Sequence, residues 1–176
     1  MDAERFTFFW SGPFSQWFKS AFTLEGQRYV TAEQYMMAEK ARLFGDIEVR
    51  DAILATSNAR EQKALGRQVR QFDADRWNTA ARDIVYRGNR AKFLANPKLL
   101  EQLLATKGTT IVEASPNDGI WGIGLAENDP DASDRTKWQG TNWLGDVLTR
   151  LRDDLIAQRS GGESVSPVGI GKGEAL

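Results

Sequence analysis

The spacing of apolar residues predicts strands in two regions of the chain. Residues 6–10 and 109–114 are rich in aromatic and β-branched side chains, which are typical of strands. Residues 22–24 and 28–30 surround Gly26, which can take the positive φ that a tight turn needs. This second pattern predicts a hairpin.

Most of the other apolar positions recur at helical spacing. Thr31, with Gln34 three residues on, matches a capping box and predicts a helix from Ala32 to about Phe44, ended by Gly45. Further helices are predicted over residues 47–55, from Asn58 to about Gln68, from Asp73 or Asp75 to Asn96, from Pro97 to Gly108, and over residues 142–158, with loops over residues 115–124 and 126–139.

The order of these elements predicts the fold class. We expect an α+β fold, a compact and mainly helical single domain with a small β-sheet, over residues 1–158. The chain lacks the alternation of strands and helices found in a doubly wound sheet, and no glycine-rich phosphate-binding motif follows a strand. Residues 159–176 are rich in Gly and Ser and contain few apolar residues, which predicts a disordered C-terminal tail.

Composition restricts the chemistry and the partners open to this chain. Its 176 residues contain neither Cys nor His, which excludes disulfides, Cys/His zinc sites, and thiolate or imidazole catalysis. We therefore expect no metal and no cofactor. With 23 basic and 24 acidic residues the net charge is −1, so tight nucleic-acid binding is not expected. The N-terminus does not resemble a signal peptide, and no apolar stretch could span a bilayer. The sequence thus predicts a cytoplasmic protein with no membrane partner, and it does not indicate an oligomeric state.

Glu33 and Lys40 are the first candidates for catalysis. They lie seven residues apart on one predicted helix, which places them on the same face with their backbones about 10 Å apart. Met36 and Met37 lie between them, and a Lys amine beside apolar groups can have a lowered pKa and act as a nucleophile. Glu33 could orient water or stabilise a sugar cation. By spacing alone, a solvated face with both charged ends in water is the more common arrangement.

Asp118 and the tryptophans are further candidates. Asp118, in a turn before Gly119, either accepts hydrogen bonds from its own turn or supplies the second carboxyl group that glycosidases commonly need. The chain has six Trp, and those near Gly-rich turns either pin loops to the core or form a stacking pocket for a planar ring. Arg67, near a helix end, could hold a phosphate or simply stand exposed.

An ordered series of short blocks runs through most of the chain. The blocks are residues 13–17 (PFSQW), 29–40 (YVTAEQYMMAEK), 65–67 (LGR), Trp77, 88–93 (GNRAKF), 113–118 (EASPND), 121–124 (WGIG) and 138–145 (WQGTNWLG). Together they resemble the NADAR family, also called YbiA-like proteins, from Phe9 to about Leu155. One block would be weak, but this many in order are specific. Gln34 stands where many members of that family carry His.

The resemblance implies hydrolysis of an N-glycosidic bond by a compact, mainly helical α+β domain. Two substrate classes are attached to the family, namely ADP-ribose on guanine bases and phosphorylated ribosylaminopyrimidine intermediates of riboflavin synthesis. We expect the first, because several Trp suit a large ligand with two ends. On the matching positions, the resemblance implies Glu33, Lys40 and Asp118 as the catalytic group and Phe14, Trp17, Arg67, Trp77, Trp121, Gly122 and Asn142 as substrate-binding residues.

Two roles for Lys40 and one rival function remain open. Lys40 either forms a Schiff base with the opened C1 aldehyde of ribose or stabilises charge while water, assisted by Glu33, attacks C1 directly. The rival function is a module that binds ADP-ribose or a nucleotide without turnover. Such a module would need only Arg, Trp and backbone donors.

Overall fold

Six α-helices and four short strands make up most of residues 3–162, the part of the chain that the computed structural model describes. The strands are β1 (Phe6–Phe9), β2 (Phe22–Leu24), β3 (Gln27–Tyr29) and β4 (Thr110–Glu113). The helices are α1 (Ala32–Leu43), α2 (Ile47–Ala55), α3 (Ala59–Gly66), α4 (Ala74–Ala95), α5 (Pro97–Ala105) and α6 (Trp143–Ser160). The predicted loop over residues 126–139 contains two 3₁₀ helices, Pro130–Ser133 and Arg135–Lys137. The predicted α+β, mainly helical architecture is confirmed.

The four strands form two separate pairs, so the predicted small sheet is divided. β2 and β3 pair antiparallel through a two-residue turn in which Glu25 and Gly26 have φ of 51° and 79°, as in a type I′ hairpin. β1 and β4 pair in parallel, with Phe9 opposite Glu113. Because β1 and β4 run in the same direction, the loops that follow them leave the pair at the same end.

Helix α1 begins and ends close to the predicted positions. Thr31 Oγ1 accepts the N–H of Gln34 at 3.0 Å, and Gly45, with φ of 70°, follows the last turn. The second hydrogen bond of the predicted capping box, to the side chain of Gln34, has a different donor. Gln34 Oε1 accepts the N–H of Val30 at 2.8 Å, one residue before the expected donor.

The side chain of Gln34 braces two helices. Its Nε2 donates to the carbonyl oxygens of Ile53, Leu54 and Thr56 at 3.1–3.3 Å, which ties the start of α1 to the end of α2. This side chain is therefore committed to backbone groups. Many members of the NADAR family, which this sequence resembles, carry His at this position. In this chain Gln34 has a structural role there.

Helix α1 is fixed by neighbours on several sides. It packs against α2, α3 and α4, while α6 packs against α4 and β4. Tyr35 of α1 meets Tyr29 edge-to-face with ring centres 5.1 Å apart, and Phe22 with ring centres 6.2 Å apart. These aromatic contacts join the hairpin to the helices. The helix that carries Glu33 and Lys40 is thus held firmly in the core.

Helix α6 ends at Ser160, so its last turn includes the first two residues of the predicted tail. Gly161 and Gly162 form a turn, and residues 163–176 of the predicted disordered tail lie outside the described residues. The domain boundary at residue 158 therefore stays a prediction. Within residues 3–162, no helix is both long enough and apolar enough to cross a membrane.

Gly145 lies in the first turn of α6, where the helix touches β4. A Cβ at this position would lie 2.1 Å from the carbonyl oxygen of Ile111 and 2.4 Å from Asn142 Oδ1. Because the nearest atom is backbone, Gly145→Ala should push α6 away from β4 and lower the free energy of unfolding by about 3 kcal/mol. Urea denaturation measures this loss. Gly161→Ala is the control, since a Cβ there would meet no atom nearer than 3.5 Å. Equal unfolding midpoints for the two variants would contradict the packing of α6 on β4.

Candidate active site

A cleft of about 770 Å³ opens at the shared end of β1 and β4. Its walls are the loop after β1, the cleft-facing side of α1, the region where α3 ends, the first turn of α4 and the loop after β4. It is lined by Trp10, Ser11, Ser15, Gln16, Trp17, Glu33, Met36, Met37, Lys40, Lys63, Arg67, Trp77, Glu113, Ser115, Asn117, Asp118, Ile120, Trp121 and Leu144. Apolar and aromatic walls with a few ionisable groups are typical of small-molecule sites.

Glu33 lies in the first turn of α1 and is only 6% exposed. The pKa of its carboxyl group is raised to about 7, mainly by burial and in addition by the negative charge of Asp118. The positive charges of Lys63, Lys40 and Arg67 oppose this shift. A carboxyl group that titrates near neutral pH can both take up and release a proton at the pH of the cell.

Lys40 lies two turns further along α1 and is half-buried. Its Nζ lies 4.5 Å from the centre of the Phe72 ring and 5.7 Å from that of Trp77. Burial lowers the pKa of the Lys40 amine, Glu33 opposes this shift, and Arg67 adds to it. The structure therefore places Glu33 and Lys40 in one cleft, and the alternative of a fully solvated face does not describe them.

Asp118 forms the turn that its sequence context allowed, and it also lies at the cleft. Its Oδ1 accepts the N–H groups of Ile120 at 2.9 Å and Trp121 at 2.8 Å, as in an Asx turn. The same residue lines the cleft. The turn therefore holds a carboxylate at the cleft wall, and it also places Trp121 there, with its ring 5.5 Å from that of Trp143.

Four of the predicted substrate-binding residues line the cleft, namely Trp17, Arg67, Trp77 and Trp121. Trp17 is 42% exposed, and Lys63 Nζ lies 5.8 Å from the centre of its ring. Arg67 caps the C-terminal end of α3 and is exposed. This part of the cleft therefore offers an aromatic surface beside two positive charges.

Phe14 and Gly122, both predicted to bind substrate, do not line the cleft. Phe14 packs in the core, with its ring centre 5.8 Å from that of Phe9 and 6.2 Å from that of Phe93. Gly122 lies where a Cβ would come within 2.9 Å of the carbonyl oxygen of Glu113. Phe14 thus anchors the loop after β1 to the core, and Gly122 lets the loop after β4 pack closely against the end of that strand.

Asn142, the third predicted binding residue outside the cleft, is completely buried with φ of 53°. Its Nδ2 donates to the carbonyl oxygen of Ile111 at 3.0 Å, and its Oδ1 accepts the N–H of Glu113 at 3.0 Å. These bonds satisfy backbone groups on one side of β4. Asn142 therefore fixes the strand that carries Glu113.

Glu113 was not predicted from the sequence as a site residue. The pKa of its carboxyl group is raised to about 7, mainly by burial and in addition by the charges of Asp118 and Glu33, while Lys63 opposes this shift. Its Oε2 is buried without a hydrogen-bond partner within residues 3–162. The available signal was its position, at the end of a β-branched strand and within the block that contains Asp118.

The wall that carries Trp17 is supported by Lys92, which was also not predicted. Lys92 is fully buried, and its Nζ donates to the carbonyl oxygen of Ser15 at 3.0 Å. Burial lowers the pKa of this amine to about 7. Asn89 Nδ2 donates to Gln16 Oε1 at 2.8 Å. Helix α4 thereby holds the loop after β1 in place.

Known proteins are similar to this chain over most of its length, including the residues that line the cleft. The family model described as NADAR domain matches residues 8–156. An N-glycosidase of Acanthamoeba polyphaga mimivirus is 48% identical over 146 residues, which are 80% of this chain and 86% of the viral protein. A riboflavin biosynthesis protein of Vibrio vulnificus is 28% identical over 144 residues, which are 82% of this chain but 35% of that protein. The solved structure of E. coli YbiA, determined by NMR, has a TM-score of 0.74 at 25% identity and covers 91% of this chain and 90% of that one.

Proposed function

We propose that this chain, which belongs to the NADAR family, is an N-glycosidase that hydrolyses the bond between C1 of a ribosyl group and a nitrogen of a base. The observation that carries the proposal is the meeting of Glu33, Lys40 and Asp118 in one cleft with apolar and aromatic walls. Glycosidic bonds break through a transition state with positive charge on the sugar, which carboxylates stabilise. The similarity to a viral N-glycosidase supports the same class of reaction.

In this proposal the three side chains have separate roles. Glu33 takes the proton of the attacking water, for which a pKa near neutrality suits it. Asp118 supplies negative charge opposite the developing sugar cation. Lys40, whose amine has a lowered pKa, either attacks C1 and forms a Schiff base that water then hydrolyses, or stabilises charge while water attacks directly.

We propose that the substrate is ADP-ribose attached to guanine in a nucleic acid. Trp10 and Trp17 are 64% and 42% exposed at the cleft, so they can stack on planar rings from outside. Lys63 and Arg67 line the same cleft and can pair with a diphosphate. A single modified base can enter such a cleft without extensive contact between the protein and the duplex.

A phosphorylated ribosylaminopyrimidine is the second candidate substrate. It is favoured by the similarity to the Vibrio riboflavin biosynthesis protein, although this chain matches about a third of that protein's length. The smaller riboside would need only one phosphate contact. Binding without turnover is the alternative function. It would not require the titratable side chains of Glu33 and Lys40.

The two substrates can be compared directly with the purified full chain. We expect release of free ADP-ribose from an oligodeoxynucleotide carrying ADP-ribosyl guanine, followed by mass spectrometry, at a higher kcat/KM than hydrolysis of the ribosylaminopyrimidine phosphate. A Glu33→Gln/Lys40→Ala double variant is the control for contaminating hydrolases. Faster hydrolysis of the pyrimidine would reverse the order of the substrates. Stoichiometric binding without turnover of either one would favour the binding module.

A further inference from the structure

Glu113 is held rigidly at the carboxyl end of β4. Its N–H donates to Asn142 Oδ1 at 3.0 Å, and its carbonyl oxygen accepts the N–H of Ile123 at 3.0 Å. It also lies opposite Phe9 in the parallel pair. A group on a strand end with all of these backbone bonds moves less than a group on a free loop. The backbone of Glu113 therefore has a fixed place at the cleft wall.

The carboxyl group itself is incompletely bonded. Glu113 lines the cleft, and its Oε2 is shielded from solvent without a hydrogen-bond partner within residues 3–162. Native proteins rarely leave a buried polar atom unpaired, and such an atom often has a functional explanation. Once protonated, the carboxyl group of Glu113 has one O–H that it can donate to a ligand in the cleft.

The charges around Glu113 differ from those around Glu33. Asp118 and Glu33 disfavour the ionised form of Glu113, and only Lys63 favours it. Asp118 also disfavours the ionised form of Glu33, whereas Lys63, Lys40 and Arg67 favour it. More positive charge therefore faces Glu33 than Glu113, which favours the proton donor role for Glu113 and the acceptor role for Glu33.

We propose that Glu113 is the general acid of the N-glycosidase reaction, so this inference rests on the proposed function. As the bond between C1 and the base nitrogen breaks, its electron pair moves to the base, and Glu113 gives its proton to that base. Water adds its oxygen to C1, and Glu33 takes the proton that the water loses. That proton passes to bulk solvent, and Glu113 is reprotonated from solvent. The overall change is the addition of one water across the C1–N bond.

Asp118 is less suited to this step. Its Oδ1 accepts two backbone N–H groups, from Ile120 and Trp121, and so acts as an acceptor in the turn. These bonds fix the residue as part of the cleft wall. Glu113 has no such bonds to its side chain within the described residues, and its carboxyl group is free to donate.

A comparison of leaving groups tests the acid role. A nitrogen base needs a proton to depart, whereas p-nitrophenolate from a p-nitrophenyl riboside 5′-phosphate does not. We expect Glu113→Gln to lower kcat for the N-riboside by about 10²-fold or more, and for the nitrophenyl riboside by less than about threefold. Glu101→Gln, an exposed change on α5, should leave both unchanged.

The pH profile is the second readout. A general acid must be protonated, so wild-type kcat/KM should fall as pH rises above about 7. This basic limb should disappear in Glu113→Gln and persist in Glu113→Asp, which keeps a carboxyl group. Equal losses on both ribosides, or a basic limb that persists in Glu113→Gln, would overturn the acid role alone. A wild type that cleaves neither riboside would overturn the proposed function and the acid role with it.

Discussion

Glu33→Gln is expected to lower kcat for N-riboside hydrolysis by about 10³-fold. Gln has the shape of Glu but cannot carry a negative charge or accept a proton from water. The loss should be large because Glu33 is buried near Lys40 and Lys63, where no ion from the solvent can replace the charge of its carboxylate. Single-turnover rates with excess protein measure the chemical step directly. Glu39→Gln is the matched control on the same helix, because Glu39 pairs with Arg42 and does not line the cleft.

The same variant should not unfold the protein. Glu33 has a pKa of about 7 when folded against an ordinary value of 4.5, so the folded state binds this proton more tightly than the unfolded state does. Its contribution to stability is therefore fully present below pH 4.5 and is lost as pH rises through 7. Glu33→Gln removes this loss, and its melting temperature at pH 8 should equal or exceed that of the wild type. Wild-type turnover in Glu33→Gln would contradict the catalytic assignment.

Lys40→Ala is expected to abolish turnover, with a loss as large as that of Glu33→Gln. The amine lies 4.5 Å from the centre of the Phe72 ring and 5.7 Å from that of Trp77, and burial lowers its pKa, which favours the neutral, nucleophilic form. Because Lys40 is half-buried at a cleft wall, its truncation should leave the fold intact. Circular dichroism and single-turnover kinetics check the two parts of this expectation. Wild-type turnover in Lys40→Ala would remove this residue from the site.

Lys40→Arg separates the two roles of the amine. Arg keeps the positive charge but stays protonated and cannot form a Schiff base. If Lys40 is a covalent partner, Lys40→Arg should be as inactive as Lys40→Ala, and borohydride should trap a ribosyl adduct on Lys40 of the wild type. If the charge alone is needed, Lys40→Arg should retain activity and no adduct should form. Lys98→Ala, an exposed change on α5, is the matched control.

The local elements of this fold could be predicted from the sequence because their signals are local. Thr31 and Gly45 bound α1, and Asp73 caps α4, through contacts within a few residues. The parallel pairing of β1 with β4 has no such signal, because its two strands are about 100 residues apart. The division of the strands into two pairs could therefore not be predicted from propensity or periodicity.

The candidate site could be predicted only for those residues whose type and spacing in the sequence indicate chemistry. Glu33, Lys40 and Asp118 all line the cleft, although their roles stay proposals. Asn142 was expected to bind substrate because it lies in one of the blocks that resemble the NADAR family. Its side chain instead bonds to backbone groups of β4. Glu113 was missed because a Glu at the end of a strand carries no local signal of burial, and only the tertiary structure shows that burial and the charge of Asp118 raise the pKa of its carboxyl group.

The parallel pair of β1 and β4 also determines when the site can be completed during synthesis. Helices α1, α2 and α3 are consecutive and pack on one another, so the helix with Glu33 and Lys40 can form early. Strand β1 must wait until β4 leaves the ribosome, because Phe6 pairs with Thr110. Only then can the wall with Asp118 close the cleft. A nascent chain thus carries half of its catalytic groups without being able to act on a riboside.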